Sequence, residues 1–505
     1  MRRGTALLLL AINFLMTVPY WSTYFGMDDE AVTVLGATRL LRGEWPYYHW
    51  DTRHTPGSYI LSALYFGIFG SDRLAVRSLM GLIAGFSGLL IYAIARRSLP
   101  KHYAWLPWLM WCCGGLVAFP ILSYHWWGTL FTLTTFYLLV RWRSEARFAP
   151  FVGVSAALAL WTLQSDGLAS ALMILVVWLR YRPVGLAKLL LAGVVASLLL
   201  WLPFLPAVGQ VVQQNLLDLT QHLGYNRYPY RWKAWLALGQ LLANPAIPWL
   251  PRCALFSNFW LQAQTYGFYY ITLFTSLVVF ERKRRPELAL LAWCGLAWAA
   301  ASGNRQTVAY LSFSCPAVFL CQVGLLSLLP RLAWAGLAWG ILEVVGMTAR
   351  VVFLENYWTF PIATRQGVYR SNSEGQARAL AQVHRWCDQH LPPGSKVLSY
   401  PYFCSLYTTE DLRNPLRVPV LTPFLYSQEE LGRARALLAD QQVEFILYLG
   451  LSPEEMQESY GIPVDLYRRQ AGQELDAVTA DYTLIEGADY LRLYQRRKPA
   501  PGSPR

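Results

Sequence analysis

The sequence predicts a polytopic α-helical membrane protein with outer juxtamembrane helices and a small C-terminal α/β domain. Of its 505 residues, 55% are hydrophobic and only 14% are charged, whereas charged residues make up about 25% of an average soluble domain. Eleven apolar runs approach the length that crosses roughly 30 Å of hydrocarbon. The composition then changes, because 18 of the 30 acidic residues follow residue 354.

The predicted spans divide the first 354 residues. They cover residues 5–24, 74–95, 104–121, 124–140, 148–163, 167–179, 186–206, 266–280, 287–302, 307–329 and 332–354. The first run has no small-residue cleavage site and is followed by many spans, so it is predicted to be a retained anchor.

Basic residues orient these spans. The N-terminus and alternate loops hold 16 Lys and Arg, and the short loops between them hold only Arg305. Since basic loops stay on the cytoplasmic side, this pattern predicts a cytoplasmic N-terminus in the cytoplasmic (inner) membrane. The long segments 25–73 and 207–265 are then outside the cytoplasm.

The C-terminal part is predicted to be outside as well. Residues 355–495 alternate amphipathic helices with short apolar strands, which is typical of a small α/β domain. Residues 496–505 are predicted to form a disordered basic tail. The net charge of +13 does not indicate nucleic-acid binding, because the basic residues occur in short clusters between apolar runs.

A cluster of scarce acidic residues follows the first span. Asp28, Asp29 and Glu30 are three of only nine acidic residues before position 281. One interpretation is structural: Asp28 or Asp29 caps a helix that begins near Ala31, where its positive end favours acids. A carboxylate fixed there could also act as a base, so the two interpretations are compatible.

The segment that follows resembles the start of the integral-membrane GT-C glycosyltransferases. This group includes the protein O-mannosyltransferases and the lipid A aminoarabinose transferases, of the family 39 and 83 type. The resemblance covers about the first 100 residues, and the matching motifs occur in order at Asp29-Glu30, Gly43 to Tyr47, His54 to Gly57, Phe69-Gly70 and Arg77.

The resemblance implies a sugar transfer from a polyprenyl-phosphate donor. By the match, Asp29 is the catalytic base, with Asp28 and Glu30 beside it. The phosphate is a leaving group that needs no acid, so one base on the acceptor hydroxyl suffices for an inverting displacement. The implied partners are the lipid-linked donor, membrane lipid, and an acceptor glycan, lipid or protein.

The departing phosphate requires cations. Arg53 and His54 occupy the family's Glu-Lys position, so the lysine itself has no identical counterpart. A guanidinium at Arg53 could grip the phosphate with two hydrogen bonds. A later run, "NRQTVAYLSFSCP", is similar to a motif of the aminoarabinose transferases and adds Arg305 and Tyr310 as candidates.

Other polar residues fit the pattern less closely. Asp51 could be a second acidic site, whereas Asp166 is interpreted as a helix cap and His125 as an interfacial histidine. No cofactor is required by the sequence. A divalent metal is compatible with the resemblance, but no Cys or His spacing indicates a metal site.

A membrane transporter or flippase of lipid-linked or small substrates is the main alternative. Transporters place ionisable groups at the membrane midplane and often contain repeated halves. Here the polar residues collect at the outer boundary, and no repeat is detected. A receptor built on the outer domain is a third interpretation, which leaves the motif after the first span unexplained.

Overall fold

Helices dominate the part of the chain that the structure describes. The structure, a computed structural model, describes residues 3–23, 29–116, 119–217, 269–302, 308–329, parts of 336–348, 359–371, 374–401, 404–418, 428–440, 443–449, most of 473–488, and 491–497. Asp28, Arg305 and residues 498–505 lie outside these ranges, as do most of the segment 207–265 and of the predicted span 332–354.

The first ten helices precede residue 218. They are α1 (Arg3–Leu15), α2 (Asp29–Leu41), α3 (Gly57–Phe69), α4 (Arg73–Ser98), α5 (Leu106–Met110), α6 (Tyr124–Trp142), α7 (Ala149–Thr162), α8 (Gln164–Tyr181), α9 (Leu186–Trp201) and α10 (Val208–Val212). Three more follow: α11 (Tyr269–Arg282), α12 (Pro286–Ser302) and α13 (Val308–Ser327). Most of these helices share one hydrophobic core.

Helix length and composition support a membrane protein. Three described segments, Arg3–Tyr20, Arg73–Ser98 and Leu186–Leu216, are long and apolar enough to cross a bilayer. Shorter apolar helices accompany them at Gly57–Phe69, Ala146–Thr162, Pro286–Ser302 and Leu311–Ser327. The count of eleven spans stays a prediction.

The basic loops lie at one end of the helix bundle. Arg143 pairs with Glu287 at 2.9 Å, and Arg180 pairs with Glu281 at 2.8 Å, so three loops that are distant in sequence meet there. Helix α6 ends beside them at Trp142 and has 19 residues, a length of about 28 Å. Its N-terminus at Tyr124 therefore lies at the opposite end of the bundle.

The C-terminal part contains a hairpin, a mixed sheet and helices. The hairpin pairs β1 (Phe360–Thr364) with β2 (Gly367–Ser371). The sheet has the order β3-β4-β6-β5, with a parallel first pair and antiparallel others. Its strands are β3 (Val397–Pro401), β4 (Phe445–Leu449), β5 (Tyr482–Ala488) and β6 (Leu491–Arg496), and the helices are α14 (Glu374–His390), α15 (Ser405–Thr409) and α16 (Gln428–Asp440).

Helix α2 joins the two parts of the chain. Its Ala31 and Leu35 belong to the same buried cluster as Ile362 and Leu380 of the C-terminal part. The sequence predicts that α2 lies on the membrane surface with Arg39 on a polar face. Instead, Arg39 is buried and pairs with Glu44 at 2.7 Å, because the C-terminal elements cover this face.

Close packing between α2 and α3 depends on a glycine. A Cβ atom on Gly36 would lie 2.4 Å from Cδ1 of the buried Tyr59. We expect Gly36→Ala to destabilise the protein by about 1–3 kcal/mol, the usual cost of overpacking. Thermal unfolding of the purified protein measures this change.

The control for that variant is Gly67→Ala in α3. A Cβ atom on Gly67 would lie 3.5 Å from Leu41 Cδ2, an ordinary contact, and alanine favours a helix over glycine by about 1 kcal/mol. We expect Gly67→Ala to be neutral or stabilising. Equal unfolding temperatures for the two variants would contradict the close contact at Gly36.

Candidate active site

The carboxylate of Asp29 is the centre of the candidate site. Tyr124 donates a hydrogen bond from its hydroxyl to Asp29 Oδ1 at 3.0 Å. Asp29 Oδ2 lies 3.5 Å from Ser123 Oγ and 3.6 Å from His125 Nε2. The side chain is 24% exposed, so Asp29 is held by neighbours and remains accessible.

Two helix N-termini meet at this carboxylate. Asp29 is the first residue of α2, and its carbonyl oxygen accepts a hydrogen bond from Thr33. Helix α6 begins at Tyr124, where Ser123 caps it by accepting a hydrogen bond from the His125 amide. The positive ends of both helices stabilise a negative charge at this position. The helix predicted to begin near Ala31 begins instead at Asp29, the predicted base.

Glu30 points away from Asp29 to a different partner. Its Oε1 lies 2.9 Å from a guanidinium nitrogen of Arg77, and it accepts a hydrogen bond from the Leu122 amide at 3.3 Å. Burial raises the pKa of the Glu30 carboxyl, and the charge of Arg77 lowers it in part. Glu30 therefore belongs to a buried ion pair with Arg77, whereas Asp29 is held by Tyr124.

Aromatic rings surround the Asp29 carboxylate. The His54 imidazole stacks on the Tyr124 ring, with centroids 3.9 Å apart and planes 25° apart. On the other side, His125 stacks on Phe313 of α13 at 4.6 Å. His125 is thus a site neighbour of Asp29, whereas the sequence favoured an interfacial role. The stacked pairs connect three distant segments of the chain around one acid.

Arg53 and His54 lie in a loop that a polar network holds. Gln164 donates a hydrogen bond to the Arg53 carbonyl oxygen at 2.8 Å and another to Asn215 at 2.6 Å. Asn215 in turn donates to the Tyr47 hydroxyl, which donates to the His54 carbonyl oxygen. The backbone of both cation candidates is therefore fixed, and their side chains are half-buried.

Asp51 connects three segments of the chain. Its carboxylate accepts hydrogen bonds from Arg417 at 3.1 Å and from Gln214 at 2.8 Å. The Asp51 amide also donates to the Arg417 carbonyl oxygen at 2.8 Å. This acid, predicted as a second acidic site, attaches the C-terminal part of the chain to the segment 25–73.

The other candidates lie elsewhere or are only partly described. Asp166 is buried and accepts a hydrogen bond from Thr132 at 3.0 Å, so it belongs to the helix packing. Tyr310 lies in the first turn of α13, but its side chain is outside the described residues, as is Arg305. Within the described part of the chain, no group of three or more His, Cys, Asp or Glu side chains could hold a metal ion.

Sequence reasoning missed Tyr124, Ser123 and Gln164. The signal for the first two was present, because serine directly before a long apolar helix is a typical N-cap. That cap places Ser123 and Tyr124 at the end of the bundle opposite the basic loops, where both contact Asp29. No sequence signal connects Gln164 with Arg53, 111 residues away.

Solved structures place the fold in the class of GT-C membrane glycosyltransferases, and the predicted resemblance is confirmed at this level. Apo ArnT, a lipid A aminoarabinose transferase of Cupriavidus metallidurans, is 12% identical, with 97% of both chains covered and a TM-score of 0.58. ArnT bound to undecaprenyl phosphate is 13% identical, with 98% of both chains covered and a TM-score of 0.54.

A second kind of enzyme has the same fold. The apo oligosaccharyltransferase of Archaeoglobus fulgidus is 14% identical, with 100% of this chain and 75% of that chain covered and a TM-score of 0.51. No family model matches the sequence, and no curated protein matches it. The similarity is therefore one of fold.

Proposed function

We propose that this protein is a glycosyltransferase that moves a sugar from a polyprenyl-phosphate carrier to an acceptor at the outer face of the cytoplasmic membrane. The observation that carries the proposal is the accessible carboxylate of Asp29, held by Tyr124 between two helix N-termini. The His54 imidazole stacks on the ring of the same Tyr124. The candidate base Asp29 and the candidate cation His54 thus both contact Tyr124.

The reaction needs only one proton transfer at the protein. Asp29 takes the proton of the acceptor hydroxyl as its oxygen forms a bond to the anomeric carbon. The bond from that carbon to the phosphate oxygen breaks, and the polyprenyl phosphate leaves with the electron pair. Because the attack is opposite to the leaving group, the anomeric configuration is inverted.

The structural neighbours support a lipid-linked donor. ArnT has been solved with undecaprenyl phosphate, and the oligosaccharyltransferase of Archaeoglobus fulgidus with a tethered acceptor peptide. By analogy, the donor phosphate of this protein would contact Arg53 and His54, with Arg305 and Tyr310 as further candidates. The acceptor is a lipid, a glycan or a protein.

Arg53→Ala tests the phosphate contact. Because a hydrogen bond to a charged group contributes about 1.5–3 kcal/mol, we expect the KM for the donor to rise about 10- to 100-fold. We expect the loop to keep its place, since Gln164 binds the Arg53 backbone. Donor-dependence curves for the variant and the wild type measure this effect.

Arg53→Lys is the matched variant. It keeps the positive charge and loses the two-pronged geometry of the guanidinium, so its donor KM is expected between those of the wild type and Arg53→Ala. An unchanged donor KM in Arg53→Ala would exclude this side chain as a phosphate contact.

A donor panel tests the proposed function itself. Membranes that contain the protein are incubated with polyprenyl-phosphate sugars that carry a label in the sugar, and the labelled products are separated. A glycosyltransferase moves the label to a new molecule, whereas a transporter moves it across the membrane with its carrier intact. Transfer from none of the donors would contradict the proposal.

A further inference from the structure

Tyr124 contacts both the candidate base Asp29 and the candidate cation His54. Its hydroxyl donates to Asp29 Oδ1 at 3.0 Å, and its ring carries the His54 imidazole at 3.9 Å. Resting on the proposed function, we propose that Tyr124 is a positioning residue that sets the separation between the base and the cations at the leaving phosphate.

Tyr124 is itself held firmly. It is 4% exposed and is the first residue of α6, directly after the Ser123 cap. Farther along α6, Thr129 donates to the Phe313 carbonyl oxygen at 3.3 Å, and Thr132 donates to Asp166. Since α6 is attached to two other helices, the Tyr124 ring has little freedom to move.

The two candidate partners of Tyr124 come from different elements of the chain. Asp29 lies at the first residue of a helix, and His54 lies in the loop before α3. A base acts efficiently only when the reacting groups are already aligned, and a small displacement costs a large part of the rate. One rigid ring that contacts both groups provides this alignment.

Titratable groups from more than one helix face Asp29. They include His125 at 3.6 Å, the Tyr124 hydroxyl, and Tyr59 from α3. Burial raises the pKa of the Tyr59 phenol, the hydrogen bond from Thr52 lowers it, and the charge of Asp29 raises it further. Tyr59 therefore stays neutral, whereas the Tyr124 hydroxyl and His125 lie 3.0 Å and 3.6 Å from the Asp29 carboxylate.

Tyr124→Phe removes the hydroxyl and keeps the ring. We expect kcat to fall about 10- to 100-fold, the loss that corresponds to one hydrogen bond to a charged group. The KM for the donor should change little, because the stack with His54 remains. Tyr124→Leu removes both contacts and is expected to lower kcat and raise the donor KM. A lower kcat with an unchanged donor KM in Tyr124→Phe indicates positioning, because a general loss of structure would change both constants.

The matched control is Tyr48→Phe. Tyr48 lies in the same outer segment, and its exposed hydroxyl donates to the Pro203 carbonyl oxygen at 2.8 Å. Tyr48→Phe loses a hydrogen bond of similar length that does not involve Asp29. Its kcat and its KM for the donor should therefore match those of the wild type.

A chemical measurement tests the contact without any substrate. The full-length protein is treated with a hydrophobic carbodiimide, which reacts with protonated carboxyl groups. Asp29 is followed by peptide mass spectrometry over a pH range that begins well below the usual aspartate pKa of about 3.9. Hydrogen bonds to a carboxylate favour its charged form. In Tyr124→Phe the midpoint of the reaction should therefore move to higher pH by about one unit, while Tyr48→Phe matches the wild type.

The results of these experiments distinguish the proposed function from the positioning role of Tyr124. If the wild type transfers no sugar from any donor, the proposed function is wrong and the positioning role falls with it, whatever the carbodiimide reaction reports about the contact. If the wild type is active and Tyr124→Phe has the wild-type kcat or an unshifted Asp29 midpoint, the positioning role alone is overturned.

Discussion

Asp29→Asn is expected to reduce sugar transfer by at least about 100-fold, and up to about 10⁴-fold, the range that a general base contributes. Asparagine has nearly the same shape and can still accept the hydrogen bond from Tyr124. It cannot take the proton of the acceptor hydroxyl. The rate of product formation with a saturating labelled donor measures this loss, and the unfolding temperature of the variant should remain near that of the wild type.

Asp72→Asn is the control for that substitution. Asp72 caps α4 by accepting a hydrogen bond from the Ala75 amide at 2.8 Å, and asparagine is an equally good cap. Activity and stability should both be unchanged. If Asp29→Asn transferred sugar at the wild-type rate, Asp29 would not be the base.

Arg77→Met is expected to have the largest effect on stability. Arg77 is 1% exposed and its partner Glu30 is 8% exposed, so removal of the cation leaves a buried acid without its ion pair. Such losses cost about 3–5 kcal/mol. The unfolding temperature of the protein in detergent measures the change.

The double variant Arg77→Met/Glu30→Gln distinguishes the ion pair from simple packing. It removes both charges, and a buried pair replaced as a whole is often close to neutral. We therefore expect it to recover most of the stability that Arg77→Met loses. A double variant as unstable as the single one would show that Arg77 acts through its shape or through its hydrogen bond to the Thr23 carbonyl oxygen.

The pH dependence of Arg77→Met follows from the Glu30 titration. Burial raises the pKa of Glu30 in the folded protein above its usual value, so the folded state holds this proton more tightly than the unfolded state. Stability therefore falls as the pH rises through the interval between the two pKa values. Without Arg77 this interval widens, so Arg77→Met should be less stable at pH 8 than at pH 5.5, and Glu30→Gln should abolish that difference.

The sequence predicts local features of this fold well. The predicted spans 74–95 and 124–140 fall within α4 and α6, because span length and apolar composition are properties of neighbouring residues. The acidic start of α2 is a local signal too, since acidic residues are favoured in the first turn of a helix. These patterns need no knowledge of distant contacts.

The different environments of the acidic residues depend on partners that are distant in sequence. Glu30 is neutralised by Arg77, Asp29 is held by Tyr124, and Asp51 is bound by Arg417, which is 366 residues away. Nothing in the acidic cluster itself distinguishes Asp29 from Glu30. The burial of Arg39 has the same origin, because the covering surface comes from the C-terminal part.

The most direct test of the account uses the purified protein in liposomes with a labelled polyprenyl-phosphate sugar and its acceptor, once the donor panel has identified them. Product, released polyprenyl phosphate and anomeric configuration are measured together for the wild type and Asp29→Asn. The proposed mechanism requires one released carrier per sugar transferred, an inverted linkage, and at least about a 100-fold lower rate in Asp29→Asn. A retained linkage, or equal rates for the two proteins, would contradict it.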